Sequence, residues 1–501
     1  MDDVCIESHL AEPKCYKGRR QLRRTKIIAT IGPATDTLEG VCGLITAGVD
    51  VFRINFSHGL PEEHARRMEL IRAAGRHTGC DVAVLGDLQG PKIRTDRFID
   101  GAVTLNEGDP FILDAALDKN SGTRERVGIT YKILPREVRP DDVLVLDDGR
   151  IVLRVASVQG EEVHTVVTTG GVLSNNKGIN RLGGGLSAAA LTEKDLTDIK
   201  LAVAIGVDYL AVSFPRDADD ILLARRLLKE AGGDCGIIAK IERAEALDAI
   251  EAIMQASDAI MIARGDLGVE IGDAKLPDVQ KNLIRLSRRL NIISITATQM
   301  METMIKSPIP TRAEAFDVAN AVLDGTDAVM LSGETAVGAY PVKVVQAMSE
   351  ICIEAEKQRA VRRSDHRINT RFEEVDEAIA MAAMYVANHF DVKAIAAMTE
   401  SGSTPRWMSR ISSGIPIYAM TQHEKTRRKV KLYRGVYPVH YPTSEFDSHA
   451  KANKAAVEIL ERHGIVAHGD FVAITKGDLM GIGGHTNALK IVKVGDLPSP
   501  D

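Results

Sequence analysis

Short apolar runs recur along the chain and end abruptly in polar or charged residues. Residues 26–31, 49–56 and 82–88 are the first three, closing on Gly32-Pro33, on Arg53-Ile54-Asn55-Phe56-Ser57-His58-Gly59 and on Asp87-Leu88-Gln89-Gly90-Pro91-Lys92. An apolar run bounded this way predicts a parallel strand buried on both faces, with its polar end emerging into a shared space. Between the runs lie amphipathic helical patterns, such as residues 61–74. After Pro91 the texture changes to short alternating runs (111–113, 143–146, 151–155) separated by turn signals such as Asp147-Asp148-Gly149. That spacing predicts a small all-β module of roughly a hundred residues, ending near Gly183-Gly184-Gly185. From Leu191 the strand–helix alternation resumes with an internal repeat: Gly206-Val207-Asp208, Ala256-Ser257-Asp258 and Gly325-Thr326-Asp327 each precede a buried run, as Gly48-Val49-Asp50 does earlier.

Three strands before the β module and five after it make eight. The predicted fold is α/β: a (β/α)8 TIM barrel interrupted after strand 3, followed by an open C-terminal α/β domain. In that last region we expect a helix over 377–388, strands over 394–398, 417–420 and 471–475, and a polar loop at 399–404. The expected divisions are an N-terminal arm (1–22), the barrel (23–90 and 188–360), the β module (91–187) and the C-terminal domain (361–501).

Composition narrows the class. A length of 501 residues fits about three domains at ~150 residues each. The net charge of −6 argues against a general attraction to nucleic acid, and so does the shortage of aromatics. No apolar stretch reaches the ~18 residues of a membrane helix. The six cysteines show no CxxC and no regular spacing. This disfavours a disulfide framework or a structural zinc site and favours reduced thiols in a cytoplasmic protein. The first residues run from acidic (Asp2, Asp3, Glu7) to basic (Lys17, Arg19, Arg20, Arg23, Arg24, Lys26) without a signal-peptide core, and read as a loose arm.

The chemistry sits at strand ends. Lys240, Glu242 and Asp266 are candidates to meet; a structural ion pair and a metal site stand equally well on that stretch alone. Catalytic side chains of a parallel barrel gather at the C-terminal ends of its strands. Those ends here carry Arg53, Asn55, Ser57, Asp87, Lys240, Glu242, Arg264, Asp266, Thr298, Ser332 and Glu334, too many polar groups for packing alone. Glu242 and Asp266 offer hard oxygen ligands suited to Mg2+ or Mn2+ rather than zinc. Gly265 and Asp266 lie where a helix begins, so their N–H groups can hold a carboxylate. Arg53 suits a phosphoryl group, and Thr298 can bond substrate or pass a proton. Together these fit a substrate with both carboxylate and phosphate, a divalent metal, and an enolate stabilised by Lys240. No Walker A sequence is present. In the last domain, Thr399-Glu400-Ser401-Gly402-Ser403-Thr404 reads either as a phosphate cradle or as a plain N-cap turn. Lys476 and Gly481-Ile482-Gly483-Gly484 are candidates to border it.

Several of these stretches, taken in order, resemble pyruvate kinase: Ile54-Asn55-Phe56-Ser57-His58-Gly59, Gly86-Asp87-Leu88-Gln89-Gly90-Pro91-Lys92, Lys240-Ile241-Glu242, Ile262-Ala263-Arg264-Gly265-Asp266-Leu267-Gly268, Thr296-Ala297-Thr298-Gln299-Met300 and Met330-Leu331-Ser332-Gly333-Glu334-Thr335. The resemblance covers essentially the chain after the arm and is strongest to bacterial forms. It implies transfer of a phosphoryl group from phosphoenolpyruvate to ADP, giving pyruvate and ATP. Glu242 and Asp266 would hold the divalent metal, and Lys240 would stabilise the transferred phosphoryl and the enolate. Arg53, Gly265, Asp266 and Thr298 would contact phosphoenolpyruvate. Thr298, Ser332 and Glu334 would route the proton. Arg94 and Lys177 would contact nucleotide, with Asn55 and His58 bordering it. The β module would be a mobile lid. Thr399, Ser401, Gly402, Ser403 and Thr404 would form an effector loop for a sugar phosphate or nucleotide, and the assembly would be a homotetramer.

The chain departs from the family pattern at Lys92. Members that need K+ carry Glu there, while Asn55, Ser57 and Asp87 still match the monovalent-cation residues. An ammonium from Lys92 would replace the ion, so K+ is not expected to be required; a solvated lysine on a lid hinge is the other reading. Two rival functions were weighed. A Mg2+-dependent lyase or aldolase on a similar barrel would explain Glu242 and Asp266 but not Arg94 or Lys177. A barrel kept as a regulatory scaffold sits poorly with a full set of catalytic positions.

Overall fold

Eight parallel strands close into a barrel in sequential order: β1 (Lys26–Thr30), β2 (Val51–Asn55), β3 (Ala83–Asp87), β4 (Tyr209–Val212), β5 (Gly236–Ile241), β6 (Ala259–Ala263), β7 (Ile293–Ala297) and β8 (Ala328–Leu331). This is the (β/α)8 barrel expected from the sequence, interrupted after its third strand. The computed structural model describes residues 22–362, 369, 371–446, 448–478 and 485–496. The arm at 1–21, the charged linker at 363–368 and Gly481-Ile482-Gly483-Gly484 lie outside the described residues.

The runs are almost wholly apolar because both faces are covered: Ile27, Ile28, Phe52, Ile54, Val84, Leu85, Ile260 and Ile262 are all fully buried. The repeated aspartate before a strand has a physical role. Each carboxylate accepts the backbone N–H at or near the start of the strand preceding its own in the sequence: Asp50 from Ile27 at 3.1 Å, Asp208 from Val84 at 2.8 Å, Asp258 from Ile237 at 2.8 Å and Asp327 from Ser294 at 2.9 Å. Each also takes an arginine, respectively Arg23, Arg72, Arg225 and Arg410. The repeat is therefore a clasp at the N-terminal ends of the strands, which in such barrels serve stability.

By their contacts the residues form two compact units, one drawing on residues up to Gly86, on Ala204–Leu210 and on Ser287 onward, the other on Asp87–Val203 and Ala211–Leu286. The second unit holds the β module. Its larger sheet has six strands in the order Ile179–Arg181, Val143–Leu146, Ile151–Gln159, Glu162–Thr169, Pro110–Asp114 and Arg126–Gly128, and a two-stranded sheet pairs Ala102–Leu105 with Gly171–Ser174. Phe111, Leu113, Val127, Leu144, Leu153 and Val163 fill its core. The chain enters and leaves the module side by side: Thr95 N–H donates to Lys177 O at 2.8 Å and Ile179 N–H to Ile93 O at 2.9 Å.

The first unit carries the C-terminal domain. Its sheet contains β9 (Val392–Met398), β10 (Ile417–Thr421), β11 (Val436–His440), β12 (Phe471–Gly477) and β13 (Thr486–Lys493), in the order β11-β10-β9-β12-β13. All pairs are parallel except β12 with β13. The sequence reading did not anticipate β11 or β13. Three of the clasp aspartates also bind this domain, through Lys431 to Asp50 (2.9 Å), Arg428 to Asp208 (2.8 Å) and Arg410 to Asp327. Cys42, Cys235 and Cys352 form no disulfide, whereas Cys80 is disulfide-bonded, against the expectation of reduced thiols throughout. Among the described residues no helix is long and apolar enough to cross a membrane.

Candidate active site

In the second unit the ends of β3, β5 and β6 supply one charged cluster. The Lys240 ammonium donates to Ser213 Oγ at 2.7 Å and lies 3.2 Å from Asp87 Oδ1 and 3.0 Å from Glu242 Oε1. Asp87 and Glu242 are each 1% exposed. Glu242 also accepts the Phe214 N–H at 2.9 Å. Burial pushes the Glu242 carboxyl up; Lys240 opposes this, and the negative charges of Asp266 and Asp87 add to it. Asp266 lies in the first turn of α1 (Arg264–Ile271), which begins directly after β6, and its Oδ1 pairs with Lys92 Nζ at 2.8 Å. Arg264 donates to Gln280 Oε1 at 3.4 Å.

Three carboxylates (Asp87, Glu242 and Asp266) thus face two ammonium groups, Lys240 and Lys92. A desolvated excess of negative charge is costly, and a divalent cation would offset it. No cage of three or more His, Cys, Asp or Glu side chains is present among the described residues. Two carboxylates fit Mg2+ or Mn2+, which keep water and substrate oxygens as further ligands.

The ends of β2, β7 and β8 lie in the first unit. Arg53 Nη1 donates to Thr30 Oγ1 at 3.1 Å, and Thr30 Oγ1 donates to Leu331 O at 2.9 Å. These bonds string the ends of β2, β1 and β8 together. Asn55 Oδ1 accepts the Ser57 N–H at 3.1 Å, and the exposed His58 follows in the same turn. Thr298 and Gln299 have φ of 66° and 53°. For a β-branched residue this is a strained conformation, of the kind found at functional positions. It turns the chain sharply at the end of β7. Glu334, 3% exposed on α2 (Gly333–Ala336), accepts N–H bonds from Ser332 at 2.7 Å and Met301 at 3.2 Å. Burial raises its proton affinity against the pull of those N–H groups.

In the β module Arg94 and Lys177 sit on the paired entry and exit strands. Arg94 donates to Asn176 O at 3.0 Å and Lys177 pairs with Asp147 at 2.7 Å. In the C-terminal domain, the Gly402 N–H donates to Thr399 Oγ1 at 2.9 Å and Gly402 has φ of 83°. Ser401 is exposed and Ser403 half-buried at the start of α3 (Ser403–Ser409). Thr404 points inward, 2.8 Å from Thr486 Oγ1. The sequence reading missed Ser213, Phe214 and Thr30. Ser213 and Phe214 follow β4 just as the chosen residues follow their strands, so the strand-end rule applied to all eight would have found them.

The family models described as "Pyruvate kinase, barrel domain" and "Pyruvate kinase, alpha/beta domain" match residues 22–345 and 377–492. The chain is 56% identical over 479 residues to "Pyruvate kinase II" of Salmonella typhimurium, spanning 95% of this chain and 99% of the relative. It is 55% identical over 478 residues to "Pyruvate kinase" of Buchnera aphidicola, with the same coverage of each. It is 42% identical over 484 residues to "Pyruvate kinase" of Geobacillus stearothermophilus, spanning 95% of this chain and 81% of that one.

Proposed function

Because the chain belongs to the pyruvate kinase family, and is therefore a phosphotransferase, we propose that it transfers the phosphoryl group of phosphoenolpyruvate to ADP, giving pyruvate and ATP. The observation that carries this reading is the buried cluster around Lys240, where an ammonium is held between Asp87 and Glu242. Arg53, Asp87, Lys240, Glu242, Asp266, Thr298, Ser332 and Glu334 end strands of one closed parallel barrel or follow those ends closely.

Arg53 binds the phosphoryl group with its planar fork, and the N–H groups of Gly265 and Asp266 hold the carboxylate. Lys240 turns from its carboxylates toward the transferred phosphoryl and then toward the enolate oxygen. Glu242 and Asp266 would hold Mg2+ or Mn2+, which supplies Lewis-acid stabilisation of phosphoryl charge. Thr298 sits beside the enolate carbon, with Ser332 and Glu334 behind it as the proton route; burial raises the proton affinity of Glu334, in keeping with that role. Arg94, Lys177, Asn55 and His58 contact ADP as the β module closes and excludes water. Catalysis is then positioning plus electrostatics.

Lys92 is read as a built-in replacement for K+ near Asn55, Ser57 and Asp87. Its 2.8 Å pairing with Asp266 supports a fixed cation in this cluster. The loop of Thr399, Ser401, Gly402, Ser403 and Thr404 is read as the effector site for a sugar phosphate or nucleotide, with Ser401, Ser403 and the backbone as the available donors. The enzyme is taken to be a cytoplasmic homotetramer. A coupled assay with lactate dehydrogenase tests the reaction: NADH loss should require both phosphoenolpyruvate and ADP. Lys240→Met should lower turnover at least ~10³-fold while Mn2+ binding persists. Near-normal turnover in that variant refutes the role given to Lys240.

A further inference from the structure

Where the barrel residues Gly325 and Asp327 meet the C-terminal domain, four guanidinium groups line one small cavity: Arg24, Arg288, Arg410 and Arg434. Asp327 is the one carboxylate among the described lining residues. Three of the four arginines have partners. Arg410 is committed to Asp327 and to Ile292 O at 2.9 Å. Arg24 donates to Glu356 O and Val361 O, both at 2.7 Å. Arg288 Nη2 donates to Ser412 Oγ at 3.2 Å and Arg410 O at 3.3 Å. Arg434 differs. It is 8% exposed, and its Nη2 is buried with no hydrogen-bond partner. A Cβ on Gly325 would lie 3.2 Å from Arg288 Nη1 and 3.6 Å from Arg434 Nη1. The two guanidinium groups therefore face the same spot, and only a glycine leaves it open.

Charge and size identify what belongs there. Among the described residues, four buried or half-buried cations face two carboxylates, Asp327 and Glu356. A buried donor without an acceptor is costly, and an unbalanced buried charge more so. A water molecule would complete the hydrogen bond but leave the charge. The cavity offers about 20 Å³ to the centre of a water-sized sphere, room for one such sphere. Burial, against the pull of Glu356 and with Arg24 and Arg288 as like-charged neighbours, pushes the Arg434 guanidinium down to about 10. We propose that this cavity binds one small inorganic anion of chloride size, held by Arg434 and Arg288, which locks the C-terminal domain to the barrel at Asp327. The proposal does not depend on the reading of the catalytic site.

Thermal melting of the full chain in sodium chloride and in sodium gluconate at equal ionic strength tests it. Chloride should raise Tm by roughly 2 °C in a saturating way, as a ligand of the folded state does. Arg434→Met should lose the difference between the two salts. Identical melting in both salts overturns the proposal, as does stabilisation by inorganic phosphate with none by chloride. If the variant does not fold, wild-type crystals soaked in bromide give an independent answer. An anomalous peak within hydrogen-bond reach of Arg434 Nη2 supports the site, and its absence there overturns it.

Discussion

The proposed built-in cation rests on one side chain, Lys92. Its ammonium reaches Asp266, a carboxylate assigned to the divalent metal, at 2.8 Å. A covalently attached cation needs no ion from solution. Activity in Tris or sodium buffer should therefore match activity with added K+ within about twofold, and Lys92→Glu should create a K+ requirement through the lost charge. A strong rise of wild-type activity with K+ sinks the idea. Lys240, Glu242 and Asp266 were legible as candidates because they are charged and follow apolar runs. Phe214 was not legible, because it acts through a backbone N–H at φ 54°. No side-chain pattern announces a left-handed conformation in a residue other than glycine. The strain at Thr298 was hidden for the same reason, although its hydroxyl drew attention to it.

At the scale of elements, the four clasp aspartates give a graded prediction. The Arg410–Asp327 pair is almost completely buried, both side chains being 1% exposed, whereas Arg225 and Asp258 are 29% and 23% exposed. Asp327→Ala leaves a buried guanidinium uncompensated and should cost about 3–5 kcal/mol. Arg225→Ala should cost about 0–1 kcal/mol. Calorimetric melting of the two variants should rank them in that order, and equal shifts would contradict the account. The barrel strands were legible because burial on both faces makes them continuous apolar runs. The edge strands of the C-terminal sheet were not. β11 contains Pro438, which reads as a breaker but is tolerated at an edge. β13 is half-exposed and interleaved with Asn487, Lys490 and Lys493, so its pattern resembles a loop.

At the scale of the molecule, the helix α4 (Glu424–Lys429) joins the loop proposed above as the effector site to the barrel. His423, just before it, lies 2.5 Å from Glu400, and Thr426 Oγ1 donates to Glu400 O at 2.6 Å. At its other end Arg428 grips Asp208, and the Lys429 carbonyl accepts the Tyr209 hydroxyl at 2.7 Å. On the proposed reading, a phosphate that reorders Glu400 would pull on the start of β4 through this helix. Titration with a panel of sugar phosphates and AMP should find one that lowers the substrate concentration for half-maximal rate ~5–150-fold, the usual span of such coupling. Arg428→Ala should shrink that shift while the saturated rate stays within about twofold. An undiminished shift in the variant rules the route out. The proposed tetramer leaves no comparable trace in the sequence, since surface patterning does not distinguish a partner's face from a solvated one.

The β module enters and leaves through two strands bonded to each other, Thr95 to Lys177 and Ile179 to Ile93. In evolutionary terms it is a cassette. An insertion whose ends arrive side by side asks nothing of its host's register, so its interior can lengthen, shorten or be exchanged while the barrel is inherited unchanged. Selection can tune how the site is covered separately from how the reaction is done.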